Sequence, residues 1–234
     1  MAKVLGVLGG MGPLATLDFM RKVLDATPAA RDQDHVPMIV SCLPQIPDRT
    51  AAFQGAGDSP LGAIVACGRR LTQAGADLIV MPCNTAHLWF DAVQAELQRP
   101  MLHLVDAALR EVLDIAGPGA RLGLLATDAT IASGLYINRR LPDAPAPQWL
   151  LPTAGEMLAQ VMPGIEAVKA GELDAGRARL ADAARALRQR GADVIVLGCT
   201  EIPLVLDAEV CGLPVVDATA ALARQVVAWA RPGR

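Results

Sequence analysis

Aromatic side chains are scarce: three Phe, three Trp and one Tyr among 234 residues, too few for a base-stacking platform. Basic charge is not in excess. Twenty-one Lys and Arg stand against twenty-four Asp and Glu, a net charge of −3, which argues against a nucleic-acid binder relying on a basic surface. Only three of the cations are lysines, Lys3, Lys22 and Lys169, so candidates for a Schiff base to pyridoxal phosphate are few. No apolar stretch reaches the roughly 18–20 residues of a membrane span. Charges such as Asp114, Arg121 and Asp128 interrupt every long one. The opening segment, MAKVLGVLGGMGP, lacks the longer apolar region of a signal peptide. The five cysteines show no paired spacing. A reduced, cytoplasmic protein is the expectation.

What the chain does have is 53% hydrophobic residues, mostly alanine plus short Val/Ile/Leu runs, the mark of strands buried on both faces. Strands are expected at Val4–Leu8, Val36–Ser41, Leu78–Met81, Leu102–Leu104, Leu122–Ala126, Gln148–Leu151, Val194–Leu197 and Val215–Val216. Helical patterns alternate with them. One begins at Ser59 as N-cap with Pro60 at its first position. Another covers Ala129 to about Arg140. A third covers Glu156–Gln189, with interruptions near Pro163-Gly164 and Gly171. Such alternation implies parallel sheets with helices on both sides.

Three blocks repeat in order. Gly75-Ala76-Asp77, four apolar residues, one more residue and Cys83 recur 116 positions later as Gly191-Ala192-Asp193 through Cys199. Leu5-Gly6-Val7-Leu8 returns as Leu122-Gly123-Leu124-Leu125, and Val105-Asp106-Ala107 as Val216-Asp217-Ala218. The inference is two related α/β halves joined near residue 104. The first comprises 1–104 plus 212–234, with the last strand and helix packing back onto it, and the second comprises 105–211.

Cys83 and Cys199 each come just after a buried strand, at the edge where parallel sheets bind ligands. Cysteine is also a small, commonly buried hydrophobe, and Cys42, Cys67 and Cys211 are read that way. The equivalent placement of Cys83 and Cys199, each trailed by polar residues, points to chemistry. Two thiols on opposite faces of one carbon suit inversion of a stereocentre. One removes the α-proton and the other delivers a proton to the opposite face. A thiol pKa near 8.5 makes both forms accessible. A nearby helix N-terminus and donors such as Asn84 and Thr200 would favour the thiolate.

At these residues the sequence resembles the aspartate/glutamate racemase family, the amino-acid racemases independent of pyridoxal phosphate, and most closely its aspartate branch. The matching segments are GVLGGMGPLAT (6–16), DQDHVP (32–37), PQIPDRT (44–50), PCNTAH (82–87) and GCTEIPL (198–204). The resemblance implies two similar pseudo-symmetric domains, each a mostly parallel sheet flanked by helices, with the active site in the cleft between them. It implies a homodimer, no cofactor, and Cys83 and Cys199 as catalytic acid/bases. It places Arg49 and Lys169 on the distal carboxylate of a dicarboxylic substrate, which an arginine can hold bidentately. It places Met11 near the ligand, and Asn84, Thr85 and Thr200 on the α-carboxylate and ammonium. Thr127 and Thr130, in LLATDATIASGLY (124–136), match a segment near the substrate, although such a threonine pair also caps helices. Glu201 stands where the glutamate branch usually has His, with a role in tuning Cys199.

Other readings are simpler. Arg49 could be a solvated loop residue, and Lys169 could only complement a helix end. Cys83, His87 and Cys199 could share a metal, but the ligands are few, and no metal site is expected. His87 reads as a structural or supporting donor, and His35 and His103 as structural. The expected function is a cofactor-independent racemase of aspartate with a small-molecule substrate and no nucleic-acid or membrane partner. Racemisation of glutamate, of a broader amino-acid range, or of another acid such as a hydantoin or maleate stays open. So do non-catalytic dicarboxylate binding and a thiol redox role.

Overall fold

A computed structural model describes residues 3–142 and 144–231 of the chain. It divides into two compact units, one of residues 3–107 with 219–231 and one of residues 108–218. In chain order the regular elements are β1 (Leu5–Gly9), α1 (Pro13–Ala26), β2 (Met38–Cys42), α2 (Arg49–Phe53), α3 (Leu61–Gln73), β3 (Leu78–Val80), α4 (Phe90–Leu97) and α5 (Leu104–Ala116). Next come β4 (Arg121–Leu125), α6 (Asp128–Ala132), β5 (Gln148–Leu150), α7 (Ala154–Glu156), α8 (Met162–Lys169), α9 (Leu173–Gln189), β6 (Val194–Leu197), α10 (Ala208–Cys211), β7 (Val215–Asp217) and α11 (Ala218–Ala230). None of the described helices is long and apolar enough to cross a membrane.

Both sheets are parallel, in the order β2-β1-β3 in the first unit and β5-β4-β6-β7 in the second. Each unit therefore puts its earliest strand between its second and third. The Gly-Ala-Asp repeat explains the shared register. Asp77 Oδ2 accepts from Val4 N, and Asp193 Oδ2 from Arg121 N, both at 2.8 Å. The backbone N–H of each aspartate donates back to the carbonyl of the same residue. The glycines before them, Gly75 and Gly191, have φ of +97° and +89°, conformations that residues with a Cβ rarely adopt. The central strands carry a matched close approach. A Cβ on Gly6 would lie 2.6 Å from Ile79 Cδ1, and one on Gly123 would lie 2.7 Å from the equivalent Ile195 Cδ1.

The units have separate cores. In the first, Leu8, Ile64, Leu71, Ile79 and Met81 pack with α3 and α4 side chains. In the second, Leu125, Ile165, Leu180, Leu187 and Ile195 pack under α8 and α9. Both changes of unit fall directly after a Val-Asp-Ala block, at Ala107 and at Ala218. Beyond the second change, α11 is tied to the first unit by Lys22 Nζ, which donates to Thr219 Oγ1 (2.9 Å), and by Lys3 Nζ, which donates to the Trp229 carbonyl (2.7 Å).

Several local expectations need correction. Val215–Asp217 does not pack back onto the first half: it pairs with β6, extending the second sheet, and only the helix after it joins the first unit. The expected strand at Leu102–Leu104 does not form: an isolated bridge, Ile79 to Met101, falls just before it, and α5 begins at Leu104. Pro60, not Ser59, is the N-cap of α3, and Ser59 Oγ makes only a long contact (3.4 Å) with Leu61 N. Helix in the 129–140 segment stops at Ala132. Pro163 does not break its helix. It comes after one π-helical turn, Met157–Val161. The carbonyl four residues back, Ala159, which proline has no N–H to satisfy, accepts from Arg179 Nη1 (3.3 Å).

Removing either register-setting carboxylate should weaken its own unit. Asp77→Ala and Asp193→Ala are each expected to lower stability by about 1 kcal/mol. Denaturant melts that show neither variant shifted would contradict this role.

Candidate active site

Cys83 lies three residues past β3, and Cys199 two residues past β6. Both are buried, with 6% and 5% of their surface exposed. A short 3₁₀ segment comes after each, Thr85–Trp89 in the first unit and Ile202–Leu204 in the second. The first runs straight on into α4 at Phe90, whereas the second stops after three residues and supplies no helix N-terminus of the kind expected to favour a thiolate.

In the first unit the thiol-bearing residue is held by its backbone. Leu104 N donates to His87 Nε2 (3.1 Å), which makes Nε2 the acceptor and puts the ring proton on Nδ1. Nδ1–H then donates to the Cys83 carbonyl (2.8 Å). His87 is thus a neutral clamp between the end of the β3 loop and the start of α5, with both ring nitrogens engaged. It stacks on Phe90 and meets His103 edge-on, with centroids 5.4 and 4.7 Å away. Asn84 and Thr85 are buried beside Cys83. Met11 is buried in the same core, after a glycine turn in which Gly10 N donates to Thr16 Oγ1 (2.9 Å).

Arg49 is not in an irregular loop. It opens α2, whose N-cap Asp48 accepts from Ala51 N (2.8 Å). Its Nη1 donates to the carbonyls of Ile46 (3.1 Å) and Pro47 (3.0 Å). The half-buried guanidinium is thereby fixed against its own turn.

In the second unit the thiol itself is engaged. Cys199 Sγ donates to Glu201 Oε2 (3.1 Å), and Thr200 Oγ1 donates to the same oxygen (3.2 Å). Burial first, and then the Glu201 charge, push the Cys199 thiol well above its ordinary range, while Lys169 pulls the other way. The expectation that Thr200 would favour the thiolate is therefore corrected, because its hydroxyl serves the carboxylate instead. Lys169 ends α8 and is exposed. Thr127 is the N-cap of α6, accepting from Thr130 N (3.3 Å) and donating to Thr130 Oγ1 (3.0 Å).

Sequence reasoning passed over Tyr136. This residue, the one tyrosine of the chain, is fully buried, and its charge environment includes Cys199 and Asp217. Burial above all raises its pKa beyond any working pH. Its place at the end of the LLATDATIASGLY segment was the available signal. Of the other cysteines, Cys67 and Cys211 are buried, and burial, with Asp207 adding to it, pushes Cys211 up to about 11. Cys42 is exposed, contrary to its reading as a buried hydrophobe, because it is the last residue of the edge strand β2.

Residues 8–226 match the model of the Asp/Glu/hydantoin racemase family. The chain belongs to that family. It is accordingly an isomerase of the amino-acid racemase class. Among solved structures it is similar to Picrophilus torridus aspartate racemase, at 33% identity and a TM-score of 0.85, over 97% of this chain and 94% of that one. Among curated proteins it is similar to the broad specificity amino-acid racemase RacX of Bacillus subtilis, 30% identical over 237 residues and 96% of each chain. The glutamate racemase of Desulforudis audaxviator is 32% identical over 169 residues, 64% of this chain and 55% of that protein. These racemases differ in substrate while sharing the family.

Replacing the clamp should orphan two buried backbone groups at once. His87→Phe removes the donor to Cys83 O and the acceptor for Leu104 N, and is expected to destabilise the protein by about 2 kcal/mol or more. An unchanged thermal midpoint in this variant would contradict the clamp.

Proposed function

We propose that the protein interconverts L- and D-aspartate without a cofactor, with Cys83 and Cys199 as the two acid/bases. The observation that carries the reading is their equivalent placement just past the third strand of two related units, one per unit. The chemistry needs one thiolate and one thiol. The thiolate takes the α-hydrogen as a proton, leaving its electron pair on the α-carbon. The thiol on the opposite face then protonates that carbon, giving the mirror-image amino acid and exchanging the roles of the sulfurs. A reaction so close to its own mirror image suits a pseudo-symmetric frame.

The α-carboxylate and ammonium are assigned to Asn84, Thr85 and Thr200, beside the two thiols, with Met11 as an apolar wall and Thr127 and Thr130 in support. The distal carboxylate is assigned to Arg49 and Lys169. In Arg49 the contacts to Ile46 and Pro47 use Nη1, leaving the Nε–Nη2 edge as the fork for a carboxylate. Lys169 is close enough to influence Cys199 electrostatically, which supports placing its ammonium on the substrate side. A homodimeric assembly is carried over from the family resemblance, and a cytoplasmic location from the unpaired spacing of the cysteines. The similarity to the broad specificity racemase RacX favours a wider amino-acid range as the second reading.

Purified protein without added cofactor is expected to exchange the α-proton of aspartate in heavy water and to racemise it. No exchange with aspartate or any other amino acid would end the reading, and comparable rates across many amino acids would favour the second one. Cys83→Ala and Cys199→Ala are each expected to abolish racemisation. Wild-type racemisation in either variant would exclude the two-base assignment.

A further inference from the structure

The two units share the order of their first three strands but not the residues that surround their thiols. Two residues after Cys83 stands Thr85, and two residues after Cys199 stands Glu201. The Glu201 carboxylate is buried and lies 3.1 Å from Cys199 Sγ, with the sulfur as donor. The same oxygen takes a second hydrogen bond, from Thr200, so Oε2 acts as an acceptor for two donors. From the two-base reading and this contact, we infer that Glu201 is a positioning residue that keeps the proton on Cys199 in the substrate-free protein, so that Cys199 is the acid and Cys83 the base when substrate arrives.

The groups that face Cys199 from the surrounding elements pull in both directions, and the net effect keeps the proton on the sulfur. Glu201, on the turn after β6, disfavours negative charge on the sulfur, and burial does so more strongly. Lys169, at the end of α8, favours it but is exposed to solvent, where screening weakens it. Tyr136, after α6, is neutral at working pH, held so by burial and by Asp217 at the end of β7. A thiolate formed on Cys199 would sit against a carboxylate at hydrogen-bond distance and lose the bond it now donates.

The consequence is a protein loaded for one enantiomer at rest. The aspartate whose α-hydrogen faces Cys83 meets a ready base and a ready acid. After turnover Cys83 holds the proton and Cys199 is the thiolate. The resting form is restored when solvent carries a proton from Cys83 to Cys199. The opposite enantiomer must bind the minor form, in which the proton is already on Cys83. Because the two enantiomers have equal free energy, kcat/KM is the same in both directions for every variant. The asymmetry therefore appears in KM, matched by kcat.

The test titrates the thiolate ultraviolet absorbance of substrate-free wild type, Cys199→Ser and Glu201→Gln. Wild type minus Cys199→Ser is expected to show a thiolate that appears only well above the ordinary thiol range. In Glu201→Gln that ionisation is expected to move down by about one pH unit or more. The ratio of KM for D- and L-aspartate should change by about tenfold for each unit moved. A Cys199 that ionises in the ordinary range or below, one that does not move in Glu201→Gln, or a KM ratio that stays fixed while the titration moves would each overturn the inference. If Glu201→Gln does not fold, the difference between wild type and Cys199→Ser decides. The titration needs no turnover, so absence of α-proton exchange would refute the racemase reading without touching this result.

Discussion

Two carboxylates at the ends of tight turns set the geometry on which the rest depends. Asp77 accepts the N–H of Val4, just before β1, and Asp193 that of Arg121, the first residue of β4, and each returns its own N–H to that residue's carbonyl. This reciprocal pair fixes Leu5 opposite Leu78 in one sheet and Leu122 opposite Val194 in the other. In a parallel sheet a slip of one residue would turn the side chains beyond it to the opposite face. The register that aligns β3 with β1 therefore also decides where Cys83 leaves the sheet, and the register of β6 with β4 does the same for Cys199. The glycines of the central strands belong to the same constraint. Side chains there would collide with Ala76 and Ile79, or with Ala192 and Ile195.

This is also why the repeat was legible. A reciprocal turn needs glycine at positive φ, a small residue and an acceptor in fixed order, so its sequence is nearly forced. Buried parallel strands leave a run of four apolar residues after it for an equally direct reason. The parallel α/β frame came from those elements. The failures have physical causes too. Val216-Asp217-Ala218 copies Val105-Asp106-Ala107, and the copy implied equal partners for the short segment before each. Ahead of the first copy only Met101, just before Leu102–Leu104, bridges to β3, whereas Val215–Asp217 has three residues in register with β6. Pairing of that kind depends on the neighbouring edge, which residues read in isolation do not report.

At the candidate site, residue types were legible and contacts were not. The sequence placed Thr200 beside Cys199 as a donor. It could not show that Glu201 takes that hydroxyl and the thiol together. Nor could it show Arg49 folded onto its own turn, because α2 is only five residues long and rests on one capping aspartate. His87 was legible as a structural or supporting donor, but its partners were not. Its two nitrogens bond the backbone of Cys83 and Leu104, an arrangement that depends on α5 beginning where the expected strand does not form.

A pseudo-symmetric frame has a limit in the proposed reaction, and the side chains fall where that limit lies. The α-carbon presents two faces, for which two equivalent thiols are apt. An aspartate has only one distal carboxylate, so groups that recognise it cannot be duplicated by the repeat. Arg49 and Lys169 both lie between the second and third strands of their units, but Arg49 opens the short helix α2 whereas Lys169 ends α8. They stand at opposite ends of helices of different length. The immediate surroundings of the thiols diverge in the same sense, with a histidine clamp on the backbone of Cys83 and a carboxylate on the sulfur of Cys199. In the two-base proposal the shared scaffold carries the symmetric part of the chemistry, the two sulfurs. In that proposal the unshared side chains would carry what the substrate cannot make symmetric: the grip on its single side chain, and the choice of which sulfur holds the proton at rest.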